Sequence, residues 1–183
     1  MSQNHEELIV LVDENDNEVG VMEKMEVQRR ALLHRAFSVF IFNSQGEMML
    51  QRRALGKYHS GGLWTNTCCS HPYSTETITD AAQRRLFQEM GFKTEVKPIF
   101  HFIYKAALDN ELTEYEFDHV LLGYYDGLVE INQLEVGDYC FRTIEDLSND
   151  FKNHPQKYTA WFHIAFPMLL DFLAKENRLS NAG

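Results

Sequence analysis

The sequence predicts an α+β fold, a mixed β-sheet flanked by helices and folded as a single compact domain over residues 1–183. Three observations carry that expectation. Short apolar and β-branched runs are bounded by polar turns. Amphipathic segments with helix-capping signals stand among them. The two kinds of segment interleave without the regular strand–helix alternation of a parallel α/β sheet. With 183 residues, 44% of them hydrophobic and 13% aromatic, the chain is long enough to bury a sizeable core.

Leu8–Val12 is an apolar strand, and the polar turn DENDNEVG leads to a second short one. Residues 22–33 are helical in part, being rich in Glu, Lys, Met, Arg and Leu. The stretch AFSVFIFNSQGEMMLQRR (36–53) reads as a hairpin, its strand residues meeting across an Asn-Ser-Gln-Gly turn. After the glycine-rich loop at 60–62 comes a helix over 77–90. Thr77 and Asp80 have capping spacing there, and Gly91 is a natural stop. Residues 99–108 and 115–125 are strands joined across DNELTE. A short helix over 144–151 and a longer one over 159–176 complete the chain. There is no internal repeat or low-complexity tract.

A formal net charge of −10 argues against a general nucleic-acid or anionic-membrane binder. An anionic ligand then needs a local basic pocket or a metal ion. The most apolar late segment, 161–174, is interrupted by His163, Pro167 and Asp171 and is too short to span a bilayer. The N-terminal MSQNHEELIVLVDEN has no basic region before its short apolar run, so a cytoplasmic location is expected.

Three segments carry chemistry. In WTNTCCSHP (64–72), Cys68 and Cys69 are adjacent and Cys140 is remote. That spacing suits neither a disulfide framework nor a four-ligand zinc site. A thiolate–imidazole pair with His71 and an acid–base thiol both remain open. In TEYEFDHV (113–120), strand alternation puts Glu114, Glu116 and Asp118 on one face, with Tyr115, Phe117 and His119 on the other. Three carboxylates on a buried face repel one another unless a cation or shared protons relieve them, which favours a metal site. DAAQRRLFQEMGF (80–92) is an amphipathic helix that packs Ala81, Ala82, Leu86 and Met90 inward, with Arg84, Arg85 and Glu89 on or beside one face.

Read back from Gly91, that last helix resembles the Nudix box, G-x5-E-x7-R-E-U-x-E-E-x-G-U, where U is a bulky apolar residue. Glu76, Arg84 and Glu89 stand in register, while Ser70, Arg85 and Gln88 replace a glycine and two glutamates. Taken with LLHRAFSVFIFN, QRRALGK, WTNTCCSHP and TEYEFDHV, the chain from about 23 to 161 resembles the type I isopentenyl-diphosphate isomerases, a divergent branch of the Nudix superfamily.

The resemblance implies a Nudix-type sheet and the interconversion of isopentenyl and dimethylallyl diphosphate in isoprenoid precursor biosynthesis. It implies Cys69 and Glu116 as acid–base groups, Tyr104 assisting Glu116, and Trp161 as an aromatic wall facing a transient cation. Lys24, Arg53, Lys57 and Arg85 match phosphate-binding positions. His34, His71, Glu114 and Glu116 match a metal site suited to Mn²⁺ or Zn²⁺, and Glu89 a second site holding Mg²⁺ with the diphosphate. One position departs from the family. Gln28 stands where a further metal-binding histidine is expected, and an amide oxygen is a weaker ligand than imidazole. Cys68 and Cys140 are then packing residues, and His5, His59, His101, His119, His154 and His163 ordinary core or surface residues. The expected partner is a small allylic or homoallylic diphosphate, with no nucleic acid or membrane, on a monomer or weak homodimer. The alternatives are a diphosphate hydrolase, which would release phosphate or diphosphate, and a silent homologue whose metal site Gln28 has weakened.

Overall fold

The computed structural model describes residues 8–180, so His5 lies outside the described residues. Strands β1 (Leu8–Val12) and β2 (Glu18–Glu23) form an antiparallel hairpin. The Asp13 carboxylate folds its turn by accepting the amides of Asn15 and Asn17 at 2.8 and 2.9 Å. Helix α1 (Lys24–Arg30) starts where Glu23 accepts the backbone N–H of Met25 and Glu26, and it ends at Ala31 in the left-handed conformation.

The expected hairpin over 36–53 exists only at its tip. Strands β3 (His34–Phe42) and β4 (Met48–Arg53) pair at Ile41–Met49 and Phe42–Met48 and then part. The reason is competition for partners. Strand β3 pairs in parallel along its whole length with β8 (Thr113–Tyr124), from His34 opposite Glu116 to Phe42 opposite Tyr124. On its other side it takes β6 (Cys68–Ser70). Strand β4 instead pairs with β5 (Trp64–Thr65) and with β9 (Val136–Arg142). Strand β7 (Val96–Ala107) lies antiparallel to β8. Both long strands begin a little earlier than expected, and β5, β6 and β9 were not anticipated at all. The β9 segment VGDYCFR shows no clear alternation, because Gly137 and Asp138 are both exposed beside buried Val136.

Helices cover both faces of this mixed sheet. On one side Phe37, Val39, Ile41, Met49 and Leu121 pack against Ala81, Ala82, Leu86 and Met90 of α2 (Ile78–Met90). On the other, Phe40, Phe42, Met48 and Val120 meet Leu147 of α3 (Ile144–Asn153) and Trp161, Phe162, Phe166 and Leu169 of α4 (Ala160–Ser180). Period-two alternation in β3 therefore feeds two separate cores. Each fully buried Leu or Phe contributes roughly 1.5–3 kcal/mol. Helix α2 has the expected ends, with Thr77 accepting the Asp80 N–H and Gly91 at φ 77°. Helix α4 runs beyond its expected end despite Pro167. No helix among the described residues is long and apolar enough to cross a membrane.

Candidate active site

Sheet register decides which cysteine faces the cleft. Cys69 pairs with Ser38 across β3 and β6, while Cys68 pairs with Val39. Successive side chains point to opposite faces. Cys68 is buried in the core on the α2 side, and Cys69 lies on the α4 side against the other core. The same face carries Glu114, Glu116 and Asp118 of β8, all buried, and Tyr104, which sits opposite Glu116 on β7.

Cys69, Glu114, Glu116 and Tyr104 border one cleft with about 600 Å³ of empty space, continuous with solvent at its mouth. Cys69, Tyr104, Glu116 and Trp161 line it together with Lys24, Arg53, Lys57, Arg85, His71, Glu89 and Glu114. His34 and Gln28 stand behind this wall, each with no exposed surface.

The donor atoms of His34, His71, Glu114 and Glu116 all lie within 4.8 Å of one another. His34 Nε2 is 3.5 Å from Glu114 Oε2 and from Glu116 Oε1, and His71 Nε2 is 3.1 Å from Glu116 Oε1. His34 Nδ1 lies 2.9 Å from the Leu32 carbonyl, a partner that assigns the ring proton to Nδ1 and turns Nε2 inward. His34 Nε2 and Glu114 Oε2 are buried without a hydrogen-bond partner, as expected of atoms that face a shared cation. This set therefore fits a divalent metal. Gln28 donates Nε2 to Glu114 Oε1 at 2.7 Å, and its own Oε1 is buried and unpartnered.

Electrostatics follow from this packing. Burial pulls His34 down, but the nearby Glu114 and Glu116 carboxylates outweigh that and raise it from 6.5 to about 10. Burial pushes Glu116 up, yet the nearby His34 ring and the His71 hydrogen bond hold it well below the usual carboxylate range. Tyr104 donates its hydroxyl to Glu116 Oε2 at 2.7 Å, so the two oxygens of Glu116 face different partners. Burial, with the Asp118 carboxyl close by, raises the Cys69 thiol to about 12. Cys69 is thus a proton-bearing thiol at neutral pH, which does not favour a resting thiolate–imidazole pair.

The cationic rim is already engaged. Arg53 stands over the Trp161 ring at 5.2 Å, and Lys57 binds Glu135 at 2.5 Å. Arg85 pairs with Glu89 and comes within 3.6 Å of Glu135. Glu89 also accepts Gln51 Nε2 at 2.8 Å, so both its oxygens are occupied by protein donors. Glu76 and Arg84 form a bidentate pair at 2.6 and 2.8 Å that fastens the loop before α2 to the helix.

His59 departs from its expected reading as an ordinary histidine. It is 5% exposed and lines the cleft. Its ring meets Trp161 edge-on at 5.8 Å, and its Nε2 lies 3.5 Å from Glu114 Oε1. Burial, reinforced by Arg53 and Lys24, depresses it to about 3. Its signal in the sequence was its place between Lys57 and the glycine-rich loop at 60–62. Glu135, the counter-ion of Lys57 and Arg85, carried no signal. Elsewhere His101 stacks on Phe117, His119 binds Asp16, and His154 and His163 are exposed. Cys140 is only half-buried, at the edge of the α4-side core.

Comparison with known proteins agrees with this geometry. Residues 32–162 match the NUDIX domain family. An isopentenyl-diphosphate Delta-isomerase of Pectobacterium atrosepticum is 46% identical over 90% of this chain and 92% of its own length. Isopentenyl-diphosphate Delta-isomerase 2 of Aromatoleum aromaticum is 48% identical over 85% and 82% respectively. Among solved structures, a Deinococcus radiodurans protein superposes with a TM-score of 0.67 at 21% identity, over 81% of this chain and 90% of that one. A MutT protein from Methanosarcina mazei gives 0.61 at 17%, over 81% and 95%. At those identities the solved structures speak for the fold alone.

Proposed function

Because the chain belongs to the NUDIX family and, within it, to the isopentenyl-diphosphate Delta-isomerases, we propose that Cys69 and Glu116 are its acid–base pair. The enzyme interconverts isopentenyl and dimethylallyl diphosphate. A proton joins the terminal alkene carbon and another leaves the carbon nearer the diphosphate, through a tertiary carbocation-like state. Two proton-handling groups are needed in a cleft that excludes water. The observation that carries the assignment is that Cys69 and Glu116 reach one cleft, on the same sheet face, from the two strands that flank β3.

The other roles rest on the same cleft. Tyr104, bonded to Glu116, orients that carboxylate and carries a proton to or from it. The Trp161 ring favours a passing cation. Lys24, Arg53, Lys57 and Arg85 hold the diphosphate, whose oxygens compete with Glu89 and Glu135 for them. His34, His71, Glu114 and Glu116 hold a divalent ion, for which Mn²⁺ or Zn²⁺ suits the mixed His/Glu donors, with Gln28 as a further candidate. When bound, the ion supplies positive charge that keeps the clustered carboxylates ionised. Glu89, whose oxygens Arg85 and Gln51 hold, would be the protein ligand for a Mg²⁺ bound with the diphosphate. We take the chain to act as one domain, as a monomer or weak homodimer, in the cytoplasm.

Proton NMR of isopentenyl diphosphate in D₂O, with Mg²⁺ and Mn²⁺ or Zn²⁺, tests the reading. Dimethylallyl signals carrying deuterium should grow without phosphate release. Cys69→Ala and Glu116→Gln should each slow that growth by about 10²–10⁴-fold. A variant that stays within threefold of wild type would remove that residue from the mechanism. Cleavage of the diphosphate would return the chain to the hydrolases.

A further inference from the structure

The cleft holds its two acid–base groups by different means. Glu116 is fixed by histidines and Tyr104. Cys69 is held by Asn66, which the resemblance left without a role. Asn66 has no exposed surface and stands between β5 and β6. Its amide nitrogen donates to the backbone carbonyls of Val39 at 3.1 Å and Cys68 at 3.0 Å. Carbonyls only accept, so these two partners allow the amide a single orientation. Its oxygen must face the other way.

That oxygen receives two donors, the Thr65 hydroxyl and the Cys69 thiol, each at 2.9 Å. Ser38, directly across the strand pair, closes the opposite side of the sulfur. Its Oγ is 3.7 Å from Cys69 Sγ, but it donates its proton to Asp118 Oδ2 at 2.8 Å, away from the sulfur. Ser38 Oγ can still accept, but at 3.7 Å it is much farther from the sulfur than the Asn66 oxygen at 2.9 Å, which directs the thiol proton to Asn66. Displacement of a reacting group by about 1 Å can cost a hundredfold in rate.

We propose that Asn66 is a positioning residue for Cys69, its locked side-chain oxygen fixing the rotamer of the thiol and the direction of its S–H bond. The inference rests on the reading of Cys69 as an acid–base group. It also gives a reason for a buried amide in the turn before the cysteine pair: an apolar side chain would remove the partner that Asn66 supplies to the Val39 and Cys68 carbonyls and to the thiol.

The infrared S–H stretch of the whole protein tests this, with the Cys69 band isolated by subtracting the Cys69→Ala spectrum. In Asn66→Ala the band should move to higher frequency. Turnover should fall about 10–100-fold while KM stays within threefold. Thr65→Val removes the competing donor to the same oxygen and should shift the band the opposite way, to lower frequency. If Asn66→Ala does not fold, Thr65→Val alone decides. A Cys69 band that stays in place overturns the inference and leaves the role of Cys69 standing. Full activity of Cys69→Ala, with the band still responding to position 65, overturns the reading of Cys69 and leaves the hydrogen bond standing.

Discussion

Gln28 and Glu114 are joined by a 2.7 Å hydrogen bond in which the amide nitrogen, not the oxygen, faces the carboxylate. Glu114 Oε1 is thereby tied to Gln28, and Oε2 is the oxygen that faces His34. Groups that orient a metal ligand typically contribute 10–100-fold in metal affinity. Gln28→Leu should therefore weaken Mn²⁺ or Zn²⁺ binding by about that factor, measured by competition with a chelator. Gln28→His adds an imidazole donor and should tighten it. Equal affinities for wild type and both variants would refute this account of position 28.

Metal binding should depend steeply on pH. In the metal-free protein His34 is raised from 6.5 to about 10 by its carboxylate partners, and it must lose that proton to act as a ligand. Affinity should rise about tenfold per unit between pH 7 and 9. The stability of the metal-free protein runs the other way. The contribution of protonated His34 is fully present below 6.5 and is lost as pH rises through about 10. Urea melts of chelator-treated protein across that range check the second statement. An affinity that does not change with pH would sink the first.

The adjacent cysteines should separate cleanly. Cys69→Ser should lose about 10²-fold or more in turnover, since a hydroxyl is a far weaker proton donor than a thiol. Cys68→Ala, in the core on the α2 side, should cost about 1 kcal/mol of stability and leave turnover within threefold. Steady-state rates and denaturant midpoints on both variants decide the matter.

Trp161 should matter through its ring face. Trp161→Leu removes a cation–π contribution of roughly 0.5–2 kcal/mol, so turnover should fall about 2–30-fold. Trp161→Phe should recover part of it. A leucine variant as fast as the phenylalanine variant would show that the position acts by volume alone.

Gly91 ends α2 at φ 77°, and an added Cβ would collide with the Glu130 carbonyl oxygen. Gly91→Ala should destabilise the fold by about 1 kcal/mol or more. The same turn receives the Glu130 and Asn132 N–H groups on the Met90 and Glu89 carbonyls, so the end of the helix that carries Glu89 should loosen with it. Urea denaturation gives the first quantity, and hydrogen exchange at Glu130 and Asn132 the second.

What the sequence determined by itself was local or periodic. Thr77 and Gly91 mark α2 because caps act within a few residues of the helix ends. Glu114, Glu116 and Asp118 share a face because strand side chains alternate whatever the partner strand. The residues that could carry chemistry were named by the quoted motifs and by the family resemblance those motifs carry, and most of them meet at one cleft.

What only the tertiary structure decided depends on segments far apart in the chain. The 36–53 hairpin parts because β6 takes that edge of β3 before Ile41, while β8 holds the opposite edge in a parallel pairing that no short window of sequence contains. That register brings Ser38 to Asp118 and Gln28 to Glu114, eighty and eighty-six residues apart. The β3–β6 register turns Cys69 rather than Cys68 toward the cleft, and the packing of a loop and of α1 on the sheet brings His59 between Trp161 and Glu114 and turns the Gln28 amide nitrogen inward. Hydrogen-bond direction and burial belong to the partners a side chain finds, and those partners exist only once distant strands have paired.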